Sequence, residues 1–144
     1  MQDPWLQNKC IVIIGGTTGI GLSAAQAFIE HGARVVAIGR NPESVGKASS
    51  LLKTALVEVG DASQLGTAER AIEKCLQQFG GFDGLYHVAG GSGRKFGDGP
   101  LHELSKEGWE QTLNLNLTSL MLSNQAAVQN FLKRKRGGTI LNMG

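Results

Sequence analysis

The chain has 144 residues, a net charge of +2 and 41% hydrophobic residues. That length points to one domain, and so slight a charge selects neither nucleic acid nor an anionic membrane as a partner. No apolar run approaches the roughly 20 residues that a spanning helix needs, and the 21 glycines are scattered among turns rather than periodic, which excludes collagen-like and low-complexity chains. Met1-Gln2-Asp3-Pro4 lacks the basic start and apolar stretch of a signal peptide. Cys10 and Cys75 are therefore expected to be reduced, buried thiols, and the location cytoplasmic.

Residues 1–8 are polar and lead into a first strand at 10–14, an apolar β-branched run suited to burial on both faces. A helix is predicted from about Gly19 to His31, stopped by Gly32. The second strand, 33–38, ends at Gly39-Arg40, and Asn41-Pro42 opens a helix over 42–53 with Asn as cap and Pro at its first position. The third strand is 55–59. A helix over 64–79 follows, with Leu65, Ala68, Ile72, Cys75, Leu76 and Phe79 on one face. The fourth strand covers 84–89. A glycine-rich loop over 91–104 leads to Ser105 as the cap of a long helix, whose apolar stripe is Trp109, Leu113, Leu117, Leu120, Met121, Val128, Phe131 and Leu132. Lys133-Arg134-Lys135-Arg136 ends it, where the dipole favours cations, and 139–143 is the fifth strand. Alternating strands and helices with short connections predict an α/β fold, a doubly wound parallel sheet of five strands in one domain over 1–144.

In such sheets ligands bind beyond the carboxyl ends of the strands. Glycine-rich exits gather there. The first is Gly15-Gly16-Thr17-Thr18-Gly19-Ile20-Gly21, a strand–turn–helix in which missing Cβ atoms let backbone N–H groups approach a ligand and the helix dipole favours an anion. The hydroxyls of Thr17 and Thr18 are placed to donate to phosphate oxygens. A bare strand–helix turn without a ligand has the same glycines. About twenty residues on, where a carboxylate would hold an unmodified ribose, Arg40 offers a fork of donors suited to a 2′-phosphate. It also reads as a solvated arginine, and Arg34 as a solvent-facing group at the strand edge. Asp61 leaves the third strand, able to accept from an adenine amino group or to cap a turn. Asn116 reads as a polar residue on the buried side of an apolar stripe, costly there unless partnered. No metal site is read. Gly19 is not followed by Lys-Ser/Thr, which sets aside a P-loop.

Gly15-x-x-x-Gly19-x-Gly21, Gly39-Arg40, Asp61-Ala62, Ala89-Gly90 and Leu115-Asn116-Leu117 resemble, in order and spacing, the successive motifs of the short-chain dehydrogenases/reductases. The resemblance covers essentially all of the chain. It implies that Gly15 to Gly21, with Ile20 at the helix start, take the cofactor diphosphate, and that Arg40 takes the 2′-phosphate of NADP, with NAD the lesser alternative. It implies adenine contacts from Asp61 and Ala62, and backbone contacts from Val88, Ala89 and Gly90. Asn116 matches the family's helix asparagine, which bends the helix and holds a water of the proton relay. Three departures stand out: Ile14 occupies a position usually Thr, His87-Val88 replaces Asn-Asn before Ala-Gly, and Thr18 stands where many NADP-preferring members are basic, so the NADP reading rests on Arg40 alone. His87 reads as a packed strand histidine.

The family's Ser and Tyr-x-x-x-Lys do not occur in these residues; the single tyrosine, Tyr86, lies in the fourth strand. The resemblance therefore implies the amino-terminal cofactor part of a longer NADP(H)-dependent carbonyl reductase or alcohol dehydrogenase, truncated before the catalytic groups and inactive alone. The alternative is a non-catalytic dinucleotide-binding or interaction module. A small carbonyl or alcohol substrate is implied, and packing of the long helix against its symmetry mate implies a homodimer or homotetramer.

Overall fold

The computed structural model describes residues 3–144. The strands are β1 (Cys10–Ile14), β2 (Arg34–Gly39), β3 (Leu56–Val59), β4 (Gly84–His87) and β5 (Thr139–Asn142). The helices are α1 (Gly19–Glu30), α2 (Pro42–Leu51), α3 (Thr67–Phe79), α4 (Lys106–Leu113) and α5 (Ser119–Arg134), with a π-helical segment, Asn114–Thr118, joining the last two. The sheet is parallel throughout, in the order β3-β2-β1-β4-β5. The chain winds outward from β1 to β3, then returns past β1 to β4 and β5. The reversal falls between β1 and β4, the switch point at which the connections leave a crevice.

Period-two alternation sorts the apolar residues between the two faces. Ile13, Val35, Ala37 and Tyr86 pack with Ala25 and Leu52 from the α1 and α2 side. Val12, Ile14, Val36, Ile38 and Leu85 pack with Ala68, Ile72 and Cys75 of α3 and Ala126, Ala127 and Phe131 of α5. Residues 12–14 and 35–38 are buried on both faces, as their unbroken apolar run requires. Each such Val or Ile contributes about 1.5–3 kcal/mol of burial.

The boundaries follow local chemistry. Asn41 caps α2 by accepting from the Glu43 and Ser44 N–H groups at 2.9 and 3.1 Å, and Ser105 caps α4 by accepting from Gly108 N–H at 2.9 Å. Gly32, after α1, has a φ of +90°. Cys10 and Cys75 are buried free thiols; burial, the larger effect, and the neighbouring Cys10 push the Cys75 thiol up to about 12.

Two expectations need correction. Helix α3 starts at Thr67, because residues 61–64 close a turn and Gly66 adopts a φ of +87° just before it. Leu65 is thereby left outside the helix and 78% exposed. The long helix also buries a face that keeps Phe131 but few other members of its apolar stripe. Trp109, Leu117, Met121, Val128 and Leu132 are exposed, whereas Ser119, Leu122, Ser123, Ala126, Ala127 and Phe131 face the sheet. Small residues let α5 lie close to β4, and the π segment shifts the helical phase between the two halves.

Phe82 is 2% exposed, and its ring stacks on Phe131 with centroids 5.0 Å apart. Phe82→Ala should lower the unfolding free energy by about 3–5 kcal/mol, read from urea denaturation. A loss below about 1 kcal/mol would show that this stack is not part of the core.

Candidate functional site

At the carboxyl edge of the sheet the exits of β1 to β4 surround a cleft of about 380 Å³. Gly15, Thr17, Thr18, Gly19, Ile20, Arg40, Asp61, Ala62, Val88, Ala89 and Gly90 all line it. Eleven of the thirteen residues singled out from sequence thus meet at one place; Gly21 and Asn116 stand just behind the wall, against Gly15 and Gly90.

The three glycines of the first turn have separate tasks. Gly15 has a φ of +91°, and a Cβ there would lie 2.5 Å from the backbone nitrogen of Ala89. Gly21 lies under the turn, its imaginary Cβ 1.8 Å from the Gly15 carbonyl oxygen, so α1 packs directly on the strand exit. Gly19 has a φ of +50° and open space where a Cβ would point. This is the division of labour expected of a turn that bends, packs its helix and leaves its backbone bare to a ligand. Backbone bonds hold the rim: Gly15 and Gly16 N–H donate to the Ile38 carbonyl at 2.8 and 2.9 Å, and Val88 and Ala89 N–H to the Ile14 carbonyl at 2.8 and 2.9 Å.

Thr18 precedes α1 in extended conformation, yet its side chain makes no capping bond, and no acidic residue occupies the first turn. The first N–H groups of α1 are therefore without a side-chain acceptor and face the cleft with the positive end of the dipole. A diphosphate fits this cradle. Thr18 is exposed beside it. Thr17 is 6% exposed and turned inward: a Cβ on Gly39 would lie 1.9 Å from its hydroxyl oxygen. Thr17 thus braces the exit of β2, and Gly39 is glycine to make room for it.

Arg40 is exposed at the rim, with Asn41 and Ser44 lining the same wall. The one carboxylate in the first turn of α2, Glu43, is paired with Lys47 at 2.8 Å. Asp61 accepts through Oδ1 from Ser63 N–H at 2.9 Å and Ser63 O–H at 2.7 Å, an Asx turn that steers the β3 exit. Asn41, Ser44, Ser63, Leu115 and Ser119 also line the cleft and were not foreseen. Ser44 could have been, since it lies four residues beyond Arg40 at the start of a helix.

Asn116 is exposed, not on the buried side that its apolar neighbours suggest, because Leu117 beside it faces out. It is nonetheless fully engaged. Its Oδ1 accepts from Gly91 N–H at 3.0 Å, and its Nδ2 donates to the Gly91 carbonyl at 2.7 Å and the Thr112 carbonyl at 2.9 Å. The amide thus clasps the β4 exit as another strand would, while occupying a carbonyl next to the π segment. Leu115 and Ser119, on either side of it in the chain, line the cleft. His87 is the packed strand histidine foreseen, 1% exposed, with its pKa lowered mainly by burial and raised slightly by a bond to the Ala89 backbone.

The parallel sheet and the crevice at its switch point are those of the Rossmann class of fold. The profile of the family described as short chain dehydrogenase matches residues 9–144, and the chain belongs to that family. It is similar to 3beta-hydroxysteroid dehydrogenase 2 of Eggerthella lenta, 32% identical over 149 residues that cover 98% of this chain and 55% of that protein. It is likewise similar to galactitol 2-dehydrogenase of Agrobacterium fabrum, 32% identical over 142 residues covering 96% of this chain and 53% of that protein. Among solved structures it resembles a short chain dehydrogenase from Mycobacterium smegmatis, with a TM-score of 0.87, 26% identity, and coverage of 98% of this chain and 59% of that one. The chain spans about half the length of the curated relatives it matches.

Gly21→Ala places a methyl group against the Gly15 carbonyl, so it should cost about 1–3 kcal/mol of stability. It should also abolish dinucleotide binding, measured by calorimetric titration. Retention of wild-type affinity would show that the close packing of α1 on β1 is dispensable.

Proposed function

We propose that these residues form the cofactor-holding part of an NADP(H)-dependent carbonyl reductase or alcohol dehydrogenase. The observation that carries the choice of cofactor is the end of β2. Arg40 stands at the rim where a ribose would lie, with the Ser44 hydroxyl on the same wall and the nearby Glu43 carboxylate occupied by Lys47. A guanidinium there suits a 2′-phosphate, and a position without a free carboxylate offers little to the two hydroxyls of NAD.

On this reading the α1 N–H groups and the bare backbone at Gly19 take the diphosphate. Asp61, through its second carboxylate oxygen, and Ala62 border the adenine. Val88, Ala89 and Gly90 run along the nicotinamide ribose. The nicotinamide ring supplies hydride exchange with a carbonyl or hydroxyl carbon. Within this chain Asn116 acts by position: its clasp on Gly91 sets the β4 exit against the cleft. Tyr86, the single tyrosine, is buried within β4 and takes no part in moving the proton. Two buried thiols suit a reducing compartment, consistent with a cytoplasmic enzyme.

The exposed stripe Leu117, Met121, Val128 and Leu132 on the outer side of the long helix supports association with a second copy. The principal test is cofactor binding by this chain, followed through NADPH fluorescence. Arg40→Asp should weaken NADPH binding at least about tenfold, roughly the 1.5–3 kcal/mol of a charge-assisted contact, and improve NADH binding. Unchanged selectivity would remove Arg40 as the phosphate ligand, and no binding of either nucleotide would favour an interaction module.

In sedimentation, the wild type should run as a dimer or tetramer and Leu117→Glu as a monomer. A monomeric wild type would end the oligomer proposal for this chain.

A further inference from the structure

Behind the cleft lies a polar cluster that the cofactor reading leaves without a task. His87 of β4 and Ser119 and Ser123 of α5 are each 1% exposed. Ser123 Oγ is 2.7 Å from His87 Nδ1, and Ser119 Oγ is 3.4 Å from Nε2. The backbone contacts of the two serines assign a direction to these bonds. Ser119 donates its only hydroxyl proton to the Leu115 carbonyl at 2.7 Å, so toward the ring it accepts, which assigns the ring proton to Nε2. Nδ1 is then an acceptor, and Ser123 donates to it over the shorter of its two contacts, the other being the Leu120 carbonyl at 3.1 Å. The result is a one-way chain from Ser123 O–H to Nδ1, from Nε2–H to Ser119 Oγ, and from Ser119 O–H to the Leu115 carbonyl.

We infer that His87 is a positioning residue of the cofactor cleft, tying the π segment of the long helix to β4 through Ser119 and Leu115. This rests on the dinucleotide reading for what the cleft holds, but not for the tie itself. The tie ends on cleft walls: Leu115 and Ser119 both line it. Between them sits Asn116, whose clasp holds Gly91 next to Gly90. A π turn has an irregular bond ladder and is easily re-registered to α. Bonding the Leu115 carbonyl to Ser119, whose hydroxyl also meets His87 of the sheet, holds it in one phase. A buried network with every member partnered is rigid, whereas removing the ring takes away the sheet partner of both serines and leaves each with only its contact to its own helix, Ser119 to Leu115 and Ser123 to Leu120.

The chain works only with a neutral ring. Around His87 stand Ser119 and Ser123 of α5, the Ala89 backbone, and Ile14 of β1 and Asn142 of β5 in register, none of them charged. Burial lowers its pKa in the folded state. Its neutral form therefore contributes stability in full above the ordinary histidine value of about 6.5. That contribution is lost as pH falls through that value toward the lower folded one, where Nδ1–H would turn Ser123 toward Leu120.

The test uses the full chain, with nitrogen-15 NMR of the imidazole and hydrogen exchange of the Gly91 amide. The Nε2–H tautomer is expected at neutral pH. His87→Leu and Ser119→Ala should each speed Gly91 exchange and weaken NADPH binding about tenfold, with the amides of β1 and β2 unchanged. His87→Asn, which keeps one donor and one acceptor, should recover most of both effects. A neutral Nδ1–H tautomer, or Gly91 exchange unaltered in Ser119→Ala, overturns the proposal; that small substitution also decides the matter if His87→Leu does not fold. Exchange and tautomer need no nucleotide, so a wild type that ignores NADPH would sink the cofactor reading while leaving the role of His87 decided by these two measurements.

Discussion

The carboxyl edge of this sheet depends on the absence of a side chain at Gly15. There β1 turns away with a φ of +91°, and the backbone of the β4 exit lies where a Cβ would be, 2.5 Å from Ala89 nitrogen. The second glycine of that packing, Gly21, lets α1 settle onto the same turn. Both approaches are backbone on backbone, so no rotamer change relieves an added carbon. With them in place, the switch point between β1 and β4 becomes a crevice with one helix N-terminus pointing into it. The positions of Arg40, Asp61 and Gly90 around that crevice are consequences of strands held in register with β1.

The second organising feature is how the long helix meets the sheet. Helix α5 presents serines and alanines, with Leu122 and Phe131, to the sheet, and Met121, Val128 and Leu132 point outward. Close approach along the small residues, together with the Phe131 ring on Phe82, fixes it. Polar bonds then specify where it sits: Ser119 and Ser123 to His87, and a reciprocal amide pair, Asn124 with Asn142 of β5, at 2.9 and 3.0 Å. Such bonds add little net stability but reject alternative registers, because a shifted helix would strand each of them. The π segment sits at the point where this fixed half joins α4, and Asn116 uses the irregularity to reach the β4 exit.

Much of this was legible in the residues. The apolar runs of β1 and β2, the Asn41-Pro42 and Ser105 caps, and the glycine stop at 32 are local signals with local causes, and they hold. So does the gathering of motif residues at one edge, because alternating strands and helices allow few topologies. The local signals failed where a competing contact won. Leu65 has helical spacing, but the Asp61 turn and Gly66 delay the helix past it. The stripe from Trp109 to Leu132 has the right period, but the sheet prefers the small-residue face next to it.

The chain by itself thus determined the class of fold, the glycine turn, the arginine at the end of β2 and the family, since each depends on residues near in sequence or on motif order. Only the tertiary structure decided that Thr17 turns inward under Gly39, that Asn116 is an exposed clasp rather than a buried polar residue, and that His87 meets two serines more than thirty residues away. Those contacts are made between elements that touch only after the sheet has assembled. Their geometry is set by strand register and helix phase, which no stretch of sequence carries alone.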